Sequence, residues 1–379
     1  MKFLHIGDLH IGKRVNELSM LEEQRNILKQ IVDAAVLNEA DGVLIAGDIY
    51  DKSVPPAEAV GVFDGFLNEL TAHHIPVFAV SGNHDSVERL AFASGILEKQ
   101  DVHFSRVFSG ALQHVRRNDA YGPVNIWLMP FLKPANVRTV FPETDIGTYD
   151  DAIRCVIEHC DVDPLERNVL LAHQFVVSGG EQPERSESET VTVGGVDSVD
   201  GSIFDCFDYV ALGHIHGPQW IGRETVRYCG SPLKYSFSEI HHKKSITVVE
   251  LKEKGSVSID MLPLKPLHDM REIRGPVEEL LSPLVVAAGD PEDYMHVTLT
   301  DDGVMDAAAR VRSVYPNLMK LDFDNAQTRE HRTVGIADMS KRVTDLELFA
   351  EFYELQNNEA LSGEKLEYMK KLFEEVEVL

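Results

Sequence analysis

The sequence predicts an α/β fold with a largely parallel sheet, followed by a smaller α/β unit and a helical C-terminus. Five short runs rich in Val, Ile, Leu and Ala are typical of strands buried on both faces. Amphipathic stretches with helical periodicity separate the early runs, as expected for crossover helices. A polar residue of a type that binds metals follows each run. The runs are 3–7, 43–47, 77–82, 169–172 and 209–213.

The N-terminal part of the chain predicts the order strand, helix, strand, helix, strand. The first helix carries a wide apolar stripe from Leu21 to Val36. Pro55 and Pro56 open the second helix, because proline in the first turn costs no helical hydrogen bond. The strands of this part are expected at 2–8, 43–48 and 77–82.

The middle of the chain predicts more elements of both kinds and one long loop. The polar segment 178–200 has four glycines and little apolar content, which is typical of a surface loop or flap. The segments 227–229 and 245–251 alternate like antiparallel strands and are expected to close a second sheet against the first. The other elements expected here are a strand at 126–129, a helix at 151–159 and a strand ending at His173.

These patterns divide the chain into four parts. A large unit is expected at 1–266, a small α/β unit at 267–324, a polar linker at 325–338 and two helices at 339–379. In the small unit, strands alternate with helical stretches. The predicted strands are 270–274, 295–300 and 318–323, and the helical stretches are 276–287 and 304–313.

The charge of the chain limits its class of partner. The formal net charge is −26 over 379 residues, and a protein that grips a polyanion unaided is expected to be basic. Bound cations or a basic partner would offset this charge. Locally basic segments occur at 13–14, 116–117 and 241–244, and each taken alone is expected to be solvated surface charge.

The same composition predicts a cytoplasmic protein. No apolar stretch reaches the roughly 18 residues that a membrane helix needs, and the first strand begins at Lys2, which leaves no room for a signal peptide. The four cysteines form no CxxC pair, so we expect reduced thiols rather than a disulfide framework.

Seven potential metal ligands follow the apolar runs. The carboxyl ends of parallel strands share one edge of a sheet, so these distant segments are expected to meet there. Seven donors are too many for one ion and suit two, with the Asp48 carboxylate bridging them. Mixed imidazole and carboxylate donors favour Mn or Fe, with Mg as an alternative. The ligands are Asp8, His10, Asp48, Asn83, His173, His214 and His216.

Strand periodicity predicts how some of these ligands pair. Residues i and i+2 of a strand lie on the same side, so Asp8 and His10 are expected to bind one ion. By the same rule, His214 and His216 are expected to bind one ion together.

His84 directly follows a ligand, and strand alternation turns it away from the metals and toward the substrate. That position suits a general acid that protonates a leaving oxygen. Asp51 is expected to hydrogen-bond the His84 ring, which would fix its tautomer and favour its protonated form. Asp85 and Asp200 are weaker candidates for supporting roles.

Four motifs, in this order, resemble the calcineurin-like metallophosphoesterase superfamily. They are Asp8-Leu9-His10, Gly47-Asp48-Ile49-Tyr50-Asp51, Gly82-Asn83-His84-Asp85 and Gly213-His214-Ile215-His216. The segments 81–90 (SGNHDSVERL) and 230–239 (GSPLKYSFSE), the acidic flap and the C-terminal helices are similar to the SbcD family, the nuclease subunits of bacterial SbcCD DNA repair complexes.

The resemblance implies a four-layer sandwich of two mixed β-sheets flanked by helices, with 267–324 as a DNA-capping domain. It implies two Mn ions and a catalytic role for His84. It also implies a homodimer that joins an SMC-like ATPase, SbcC, in a heterotetramer acting on DNA in repair and recombination. Such a complex is an ATP-dependent 3′–5′ double-strand exonuclease and a single-strand or hairpin endonuclease. The implied ligand sets are Asp8, His10, Asp48 and His216 for one ion, and Asp48, Asn83, His173 and His214 for the other.

The two C-terminal helices carry apolar faces that so small a hairpin cannot bury by itself. Leu346, Phe349 and Tyr353 share one face of the first helix, and Leu366 and Met369 share one face of the second. We expect 339–379 to bind a helix of the ATPase partner, which the resemblance places at the base of its coiled coil. Docking on its own chain is the alternative.

Two other functions fit the same ligands. One is a metallophosphatase or cyclic-nucleotide phosphodiesterase of the same fold, and the other is a scaffold that binds DNA ends without cutting them. The extra C-terminal unit and the apolar tail favour the nuclease over the phosphatase, since a small substrate needs neither. The complete ligand set with His84 disfavours the scaffold.

Overall fold

Short strands and helices alternate along the chain, as the sequence predicts. The computed structural model describes residues 1–189, 197–324, 349, 353, 362–363 and 365–369. The strands, in chain order, are β1 (Lys2–Ile6), β2 (Arg14–Val15), β3 (Leu18–Ser19), β4 (Gly42–Ala46), β5 (Val77–Val80), β6 (Val102–Phe104), β7 (Gln113–Asp119), β8 (Gly122–Leu128), β9 (Arg167–Ala172), β10 (Phe175–Val177), β11 (Ser198–Asp200), β12 (Tyr209–Leu212), β13 (Gln219–Ile221), β14 (Arg223–Tyr228), β15 (Ser245–Leu251), β16 (Val257–Pro263), β17 (Met270–Gly275), β18 (Tyr294–Leu299) and β19 (Leu318–Phe323). The helices are α1 (Leu21–Leu37), α2 (Ala57–Ala72), α3 (Val87–Leu90), α4 (Ser94–Leu97), α5 (Pro134–Val140), α6 (Tyr149–Glu158), α7 (Val277–Leu280), α8 (Pro283–Val286) and α9 (Ala307–Arg312).

Two mixed six-stranded sheets form the centre of the large unit. The first has the order β16-β15-β1-β4-β5-β6, and the second has the order β13-β14-β12-β9-β8-β7. Four consecutive strands of each sheet are parallel, β1-β4-β5-β6 in the first and β14-β12-β9-β8 in the second. The remaining strands pair antiparallel at the edges.

The apolar core confirms the predicted four layers. Residues of both sheets, such as Phe3 and Tyr209, pack together between them. The outer face of the first sheet packs against α1 and α2, and the outer face of the second packs against α5 and α6. Helices therefore cover both outer faces, as burial of a sheet's second apolar face requires.

The predicted partner of the segment 245–251 is wrong. The segment is a strand, β15, but it pairs antiparallel with β1 of the first sheet rather than closing the second. Arg227 belongs to β14, which lies in the second sheet and pairs parallel with β12. β15 is buried on both faces, with Ile246 facing the helical layer and Val249 between the sheets, so its hydrophobic pattern contains no signal for its neighbour.

The small unit is built on the three-stranded parallel sheet β17-β18-β19. The expected helix at 276–287 is two short helices, because Pro283 begins the second of them. Val277 and Val311 pack helices onto the sheet. The buried carboxylate of Glu23 in α1 accepts hydrogen bonds from the backbone N–H groups of Leu267 and His268, at 2.8 and 3.0 Å, and so connects the small unit to the large one.

The predicted linker at 325–338 and most of the predicted helices at 339–379 lie outside the described residues. Phe349 and Tyr353 are helical, and the Lys365 amine lies 4.9 Å from the centroid of the Tyr353 ring. Within the described residues, every helix is too short or too polar to cross a bilayer.

Candidate metal centre

The seven predicted ligands and His84 meet where β1, β4 and β5 of the first sheet end beside β9 and β12 of the second. Hydrogen bonds between the segments hold them there. The His84 N–H group donates to the Asp48 carboxylate at 2.9 Å, and the His214 N–H group donates to the Asp8 carboxylate at 2.9 Å. The Asp8 N–H group donates to the Gly47 carbonyl at 3.0 Å.

Several ligands have a backbone conformation that side chains seldom adopt. The φ angles of Asp8, His10, Asp48 and His214 are 51°, 43°, 47° and 92°. A left-handed conformation costs roughly 1–2 kcal/mol per non-glycine residue, and here the cross-strand hydrogen bonds hold it. These residues have left their strands, so the i, i+2 rule of a strand does not apply to them.

The ligands form two groups that share Asp48. In the first group, Asp8, His10 and His216 offer donor atoms within 4.8 Å of one another. The Nε2 atoms of His10 and His216 lie 3.2 Å apart, and His10 Nε2 lies 3.7 Å from Asp48 Oδ2. His214 is absent from this group, and its Nδ1 atom instead lies 3.1 Å from Asn83 Oδ1, so the geometry does not favour the prediction that His214 and His216 bind one ion together.

The second group gathers around the Asn83 side chain. Its carbonyl oxygen lies 3.1 Å from His173 Nε2 and 3.1 Å from His214 Nδ1. His173 Nε2 also lies 3.2 Å from Asp48 Oδ2, which completes the group. Asp8 Oδ1 also lies 3.9 Å from His173 Nε2, and His84 forms a further cluster of donor atoms with His10 and Asp48. These proximities are compatible with the two ligand sets that the family resemblance implies, and the division between two ions stays a prediction.

Two glycines allow this close approach. A Cβ atom on Gly82 would lie 2.0 Å from Asp48 Oδ1, and one on Gly213 would lie 1.9 Å from the Ala46 carbonyl oxygen. Any side chain at either position would displace the backbone that carries a ligand.

The donor atoms fit divalent cations. His173 Nδ1 donates to the Ala46 carbonyl at 2.7 Å, so its Nε2 lone pair faces Asp48 and Asn83. His216 Nδ1 lies 2.8 Å from Ser188 Oγ, which leaves its Nε2 facing His10. Buried lone pairs that face one another are satisfied by a shared cation, and imidazole with carboxylate donors suits first-row divalent ions.

Comparison with known proteins agrees with this geometry. A family model described as calcineurin-like phosphoesterase matches residues 1–218, and one described as type 5 capsule protein repressor C-terminal domain matches residues 266–357. The chain is 30% identical over 380 residues to the SbcD component of the nuclease SbcCD of Staphylococcus epidermidis, covering 98% of each chain. It is 31% identical to the protein of the same name from Staphylococcus saprophyticus, covering 98% of this chain and 97% of that one.

The chain belongs to the SbcD family of calcineurin-like phosphoesterases. The resemblance stated from its motifs is therefore confirmed, and so is the fold class. A solved dimetal phosphatase from Danio rerio covers 70% of this chain and 99% of its own with 12% identity and a TM-score of 0.39, a likeness too loose to inform function.

Burial and charge act in opposite directions on the ionisable ligands of this SbcD-family chain. Burial, with the nearby Asp48 charge, raises the pKa of Asp8 to about 8. Burial would lower the pKa of His173, but the carboxylates of Asp48 and Asp8 outweigh it and raise that pKa to about 9. Burial lowers the pKa of His214 to about 3. Cations bound here would favour the carboxylate and neutral imidazole forms, because metal ligands must be deprotonated.

The contact between Asp51 and His84 differs from the prediction. His84 Nδ1 donates to the backbone carbonyl of Asp51 at 2.9 Å, which fixes the ring tautomer and turns Nε2 toward the site. The Asp51 carboxylate instead accepts a hydrogen bond from the Lys13 amine at 2.7 Å. The sequence does not indicate whether the backbone carbonyl or the carboxylate of Asp51 contacts His84, because both groups belong to the same residue.

The weaker candidates Asp85 and Asp200 have structural roles. The Asp85 carboxylate accepts hydrogen bonds from the N–H groups of Ile49, Tyr50 and Gly82, at 3.1, 3.0 and 2.9 Å, and so joins the loops after β4 and β5. The Asp200 carboxylate accepts from the Ser202 N–H group at 2.8 Å and caps a short helical turn, with no contact to the ligands.

A buried network behind His216 was missed by the sequence analysis. The Glu239 carboxylate is fully buried and lies 3.4 Å from His216 Nδ1. It accepts hydrogen bonds from Ser188 Oγ at 2.5 Å and from the Lys244 amine at 2.6 Å. The segment 230–239, which resembles SbcD proteins, contains this glutamate, but resemblance alone does not assign its role.

The described part of the predicted surface flap packs onto the same ligand. Glu189 is buried, and its carboxylate accepts a hydrogen bond from the His216 N–H group at 2.7 Å. Ser186 is also buried. Ser186 and Glu189 therefore pack toward the metal centre, while Glu181, Gln182 and Glu184 of the same segment are exposed, as expected for a surface loop.

Proposed function

We propose that this chain is a metal-dependent DNA nuclease subunit that hydrolyses phosphodiesters with two divalent cations, of which Mn is the most suitable. The observation that supports the proposal most directly is the meeting of the predicted ligands around Asp48, with the partly exposed His84 also close to His10 and Asp48. Membership of the SbcD family and relatives named as nuclease subunits supply the substrate class.

In this proposal, each part of the centre has its own task. Asp8, His10, Asp48 and His216 hold one cation, and Asp48, Asn83, His173 and His214 hold the other. Two such cations, when bound, activate water and neutralise charge on the phosphate. The His84 ring lies at the exposed side of the site, with 27% of its side chain accessible, and donates a proton to the leaving oxygen. The Asp51 carbonyl keeps that ring oriented.

We also propose the assembly that the name of the relatives suggests. The chain would act in the cytoplasm on duplex ends as an ATP-dependent 3′–5′ exonuclease and on hairpins as an endonuclease, with an SMC-like ATPase bound through 339–379. The negative charge of the chain supports a need for such a partner.

A homodimer is part of the same proposal. Phe92 and Ile96 are 80% and 69% exposed, and Val54 and Val60 are also exposed beside them. Val60 and Phe92 line a hollow together with Phe63 and Phe104. So large an exposed apolar group is typical of an interface. Sedimentation of Phe92→Ser should then show a monomer, whereas a dimeric Phe92→Ser protein would rule out this face.

The activity is tested by incubating the full chain with Mn, ATP, the ATPase partner and a labelled hairpin DNA. The rate of cutting by His84→Ala should be lower by roughly a hundredfold or more, which is typical for loss of a general acid. His73→Ala is the matched control, because His73 is an exposed residue at the end of α2. Uncut DNA with the wild type, or equal cutting by His84→Ala, would reject the proposal.

A further inference from the structure

A cleft of about 790 Å³ begins one residue beyond the ligand His216. Gly217, Pro218 and Gln219 form its floor, and it lies on the side of the second sheet that carries the edge strand β13. The segment 181–185 forms one wall. The Glu184 N–H group donates to the Gln219 side chain, and that side chain donates back to the Glu184 carbonyl, both at 2.9 Å. The cleft is thus a fixed extension of the metal centre.

The opposite wall is basic. His242 and Lys243 line it, and both belong to the basic segment 241–244, for which the metal centre uses only the buried Lys244. Among the described residues, none forms an ion pair with Lys243. The neighbouring cavity, lined by Lys234, Lys265 and again Lys243, continues this basic surface. Lys234 forms an ion pair with Asp269 at 2.7 Å, and burial lowers the pKa of His242. Among the described residues, Lys243 and Lys265 have no ion pair, and in a chain with a net charge of −26 two such lysines beside the metal centre indicate an anionic ligand.

An exposed tryptophan lines the same cleft. Trp220 in β13 is 56% exposed, and the guanidinium carbon of the buried Arg227 lies 5.6 Å from the centroid of its ring. The pairing of β13 with β14 shifts register between Trp220 and Ile221, which is an irregularity of the kind that redirects side chains near active sites. The indole is thus held by a cation on one side and open to solvent, so that an aromatic ring of a ligand can stack on it.

We propose that this cleft binds a single-stranded segment of the nucleic acid, with a base stacked on Trp220 and phosphates along His242 and Lys243. The inference rests on the proposed nuclease function. Stacking needs a base whose face is free, which a paired duplex does not offer except at its ends. Glu181 and Glu184 on the opposite wall repel phosphate, so the backbone of the strand lies on the basic side.

The first test uses the protein's own fluorescence. The chain has two tryptophans, and Trp127 is buried with its N–H group donating to Asn168. In Trp127→Phe, emission comes from Trp220 alone. Titration of the metal-free protein with a short oligothymidylate should quench this emission to saturation, because thymine stacks on the indole. Absence of quenching would overturn the proposal.

The second test separates the two contacts. By fluorescence anisotropy of labelled oligothymidylate in EDTA, Trp220→Ala should weaken binding about 5- to 100-fold, and Trp220→Phe should restore most of the loss. Lys243→Ala should weaken binding and reduce the slope of log Kd against log salt by about 0.7. Lys29→Ala, at an exposed lysine on α1, is the matched control and should bind like the wild type.

The possible outcomes distinguish the proposal that the cleft binds a single strand from the proposal that the chain is a nuclease. Equal binding by Trp220→Ala and the wild type, or equal affinity for a blunt duplex of the same length, would overturn the single-strand proposal. Heparin, an anion without bases, should bind Trp220→Ala as well as the wild type. Hydrolysis of bis(p-nitrophenyl) phosphate by the wild type with Mn tests the metal centre separately, because this substrate is too small to depend on the cleft. Hydrolysis without strand binding would therefore reject only the cleft.

Discussion

The two ligand groups share Asp48 but differ in what holds their imidazoles. In the second group, His173 donates to the Ala46 backbone carbonyl at the end of β4, an acceptor that every residue type provides. In the first group, His216 contacts the side chains of Ser188 and Glu239. His173 is therefore oriented by the backbone of the sheet, and His216 by side chains from two separate segments.

This difference has an energetic consequence. The Glu239 carboxylate depends on Lys244 for charge compensation, because both are buried and a lone buried charge costs several kcal/mol. Burial would raise the pKa of Glu239, but His216 and Lys244 hold it well below the usual range. The first group should therefore respond to single substitutions around it, while the second should respond mainly to substitutions of the ligands.

Substitution of Asp48, which both groups share, should have the largest effect, because it weakens both groups at once. In Asp48→Asn, both ions lose a carboxylate, and we expect metal content to fall from two ions per chain toward none. The rate of phosphodiester hydrolysis should fall by about a thousandfold or more, since bound metals supply several kcal/mol of transition-state stabilisation. Elemental analysis of the purified chain, beside circular dichroism to check folding, measures this. Retention of one tightly bound ion would contradict the bridging role.

Glu239→Gln should separate the groups. It removes the carboxylate behind His216, and supporting residues of this kind typically change metal affinity by about 10- to 100-fold. Calorimetric titration with Mn should show one weakened site and one unchanged site. Glu23→Gln is a matched control, because Glu23 is also a buried glutamate that contacts a histidine, His268, away from the ligands. Equal weakening of both sites would show that the groups are not supported independently.

Gly213→Ala should cost stability where the two sheets meet. Its Cβ would clash with the Ala46 carbonyl oxygen, and forced overpacking costs about 1–3 kcal/mol. Gly61→Ala in α2 is the control, since a Cβ there meets no atom within 4 Å. That change should stabilise the chain by up to about 1 kcal/mol, because alanine is the better helix former. Urea unfolding of both variants measures the difference, and equal free energies of unfolding would contradict the clash.

Asp51→Ala should have the smallest effect on activity. The carbonyl that orients His84 remains in any substitution, and the lost carboxylate pairs with the partly exposed Lys13. The carboxylate hydrogen-bonds neither the His84 ring nor a predicted ligand, so the rate should fall by less than about fivefold. A loss as large as that of His84→Ala would instead give the carboxylate a direct role in catalysis.

The sequence predicted most of the fold because periodicity is a local signal. The stripe on α1, the proline start of α2 and the buried runs of β4 and β9 are each readable from a short window. The pairing of β15 could not be read from a short window, since its neighbour β1 lies more than two hundred residues earlier in the chain. A strand buried on both faces fits equally well beside several partners.

The candidate site shows the same division. The seven predicted ligands and His84, which the structure brings together, were nominated from residue type at strand ends, because only a few side chains bind divalent cations. The Ser188 and Glu239 contacts could not be predicted, since serine and glutamate are common surface residues and only tertiary packing buries Glu239 and brings Ser188 to it.

The sequence alone was enough to nominate the residues of the candidate site and to predict that they gather at one edge of an α/β fold, because residue type and strand pattern are properties of short segments. Only the tertiary structure shows which of these site residues lie close to one another. Left-handed backbone at Asp8, His10, Asp48 and His214 breaks strand periodicity and directs His214 and His216 into different groups. Hydrogen bonds between residues far apart in the chain hold those conformations, and no local pattern encodes them.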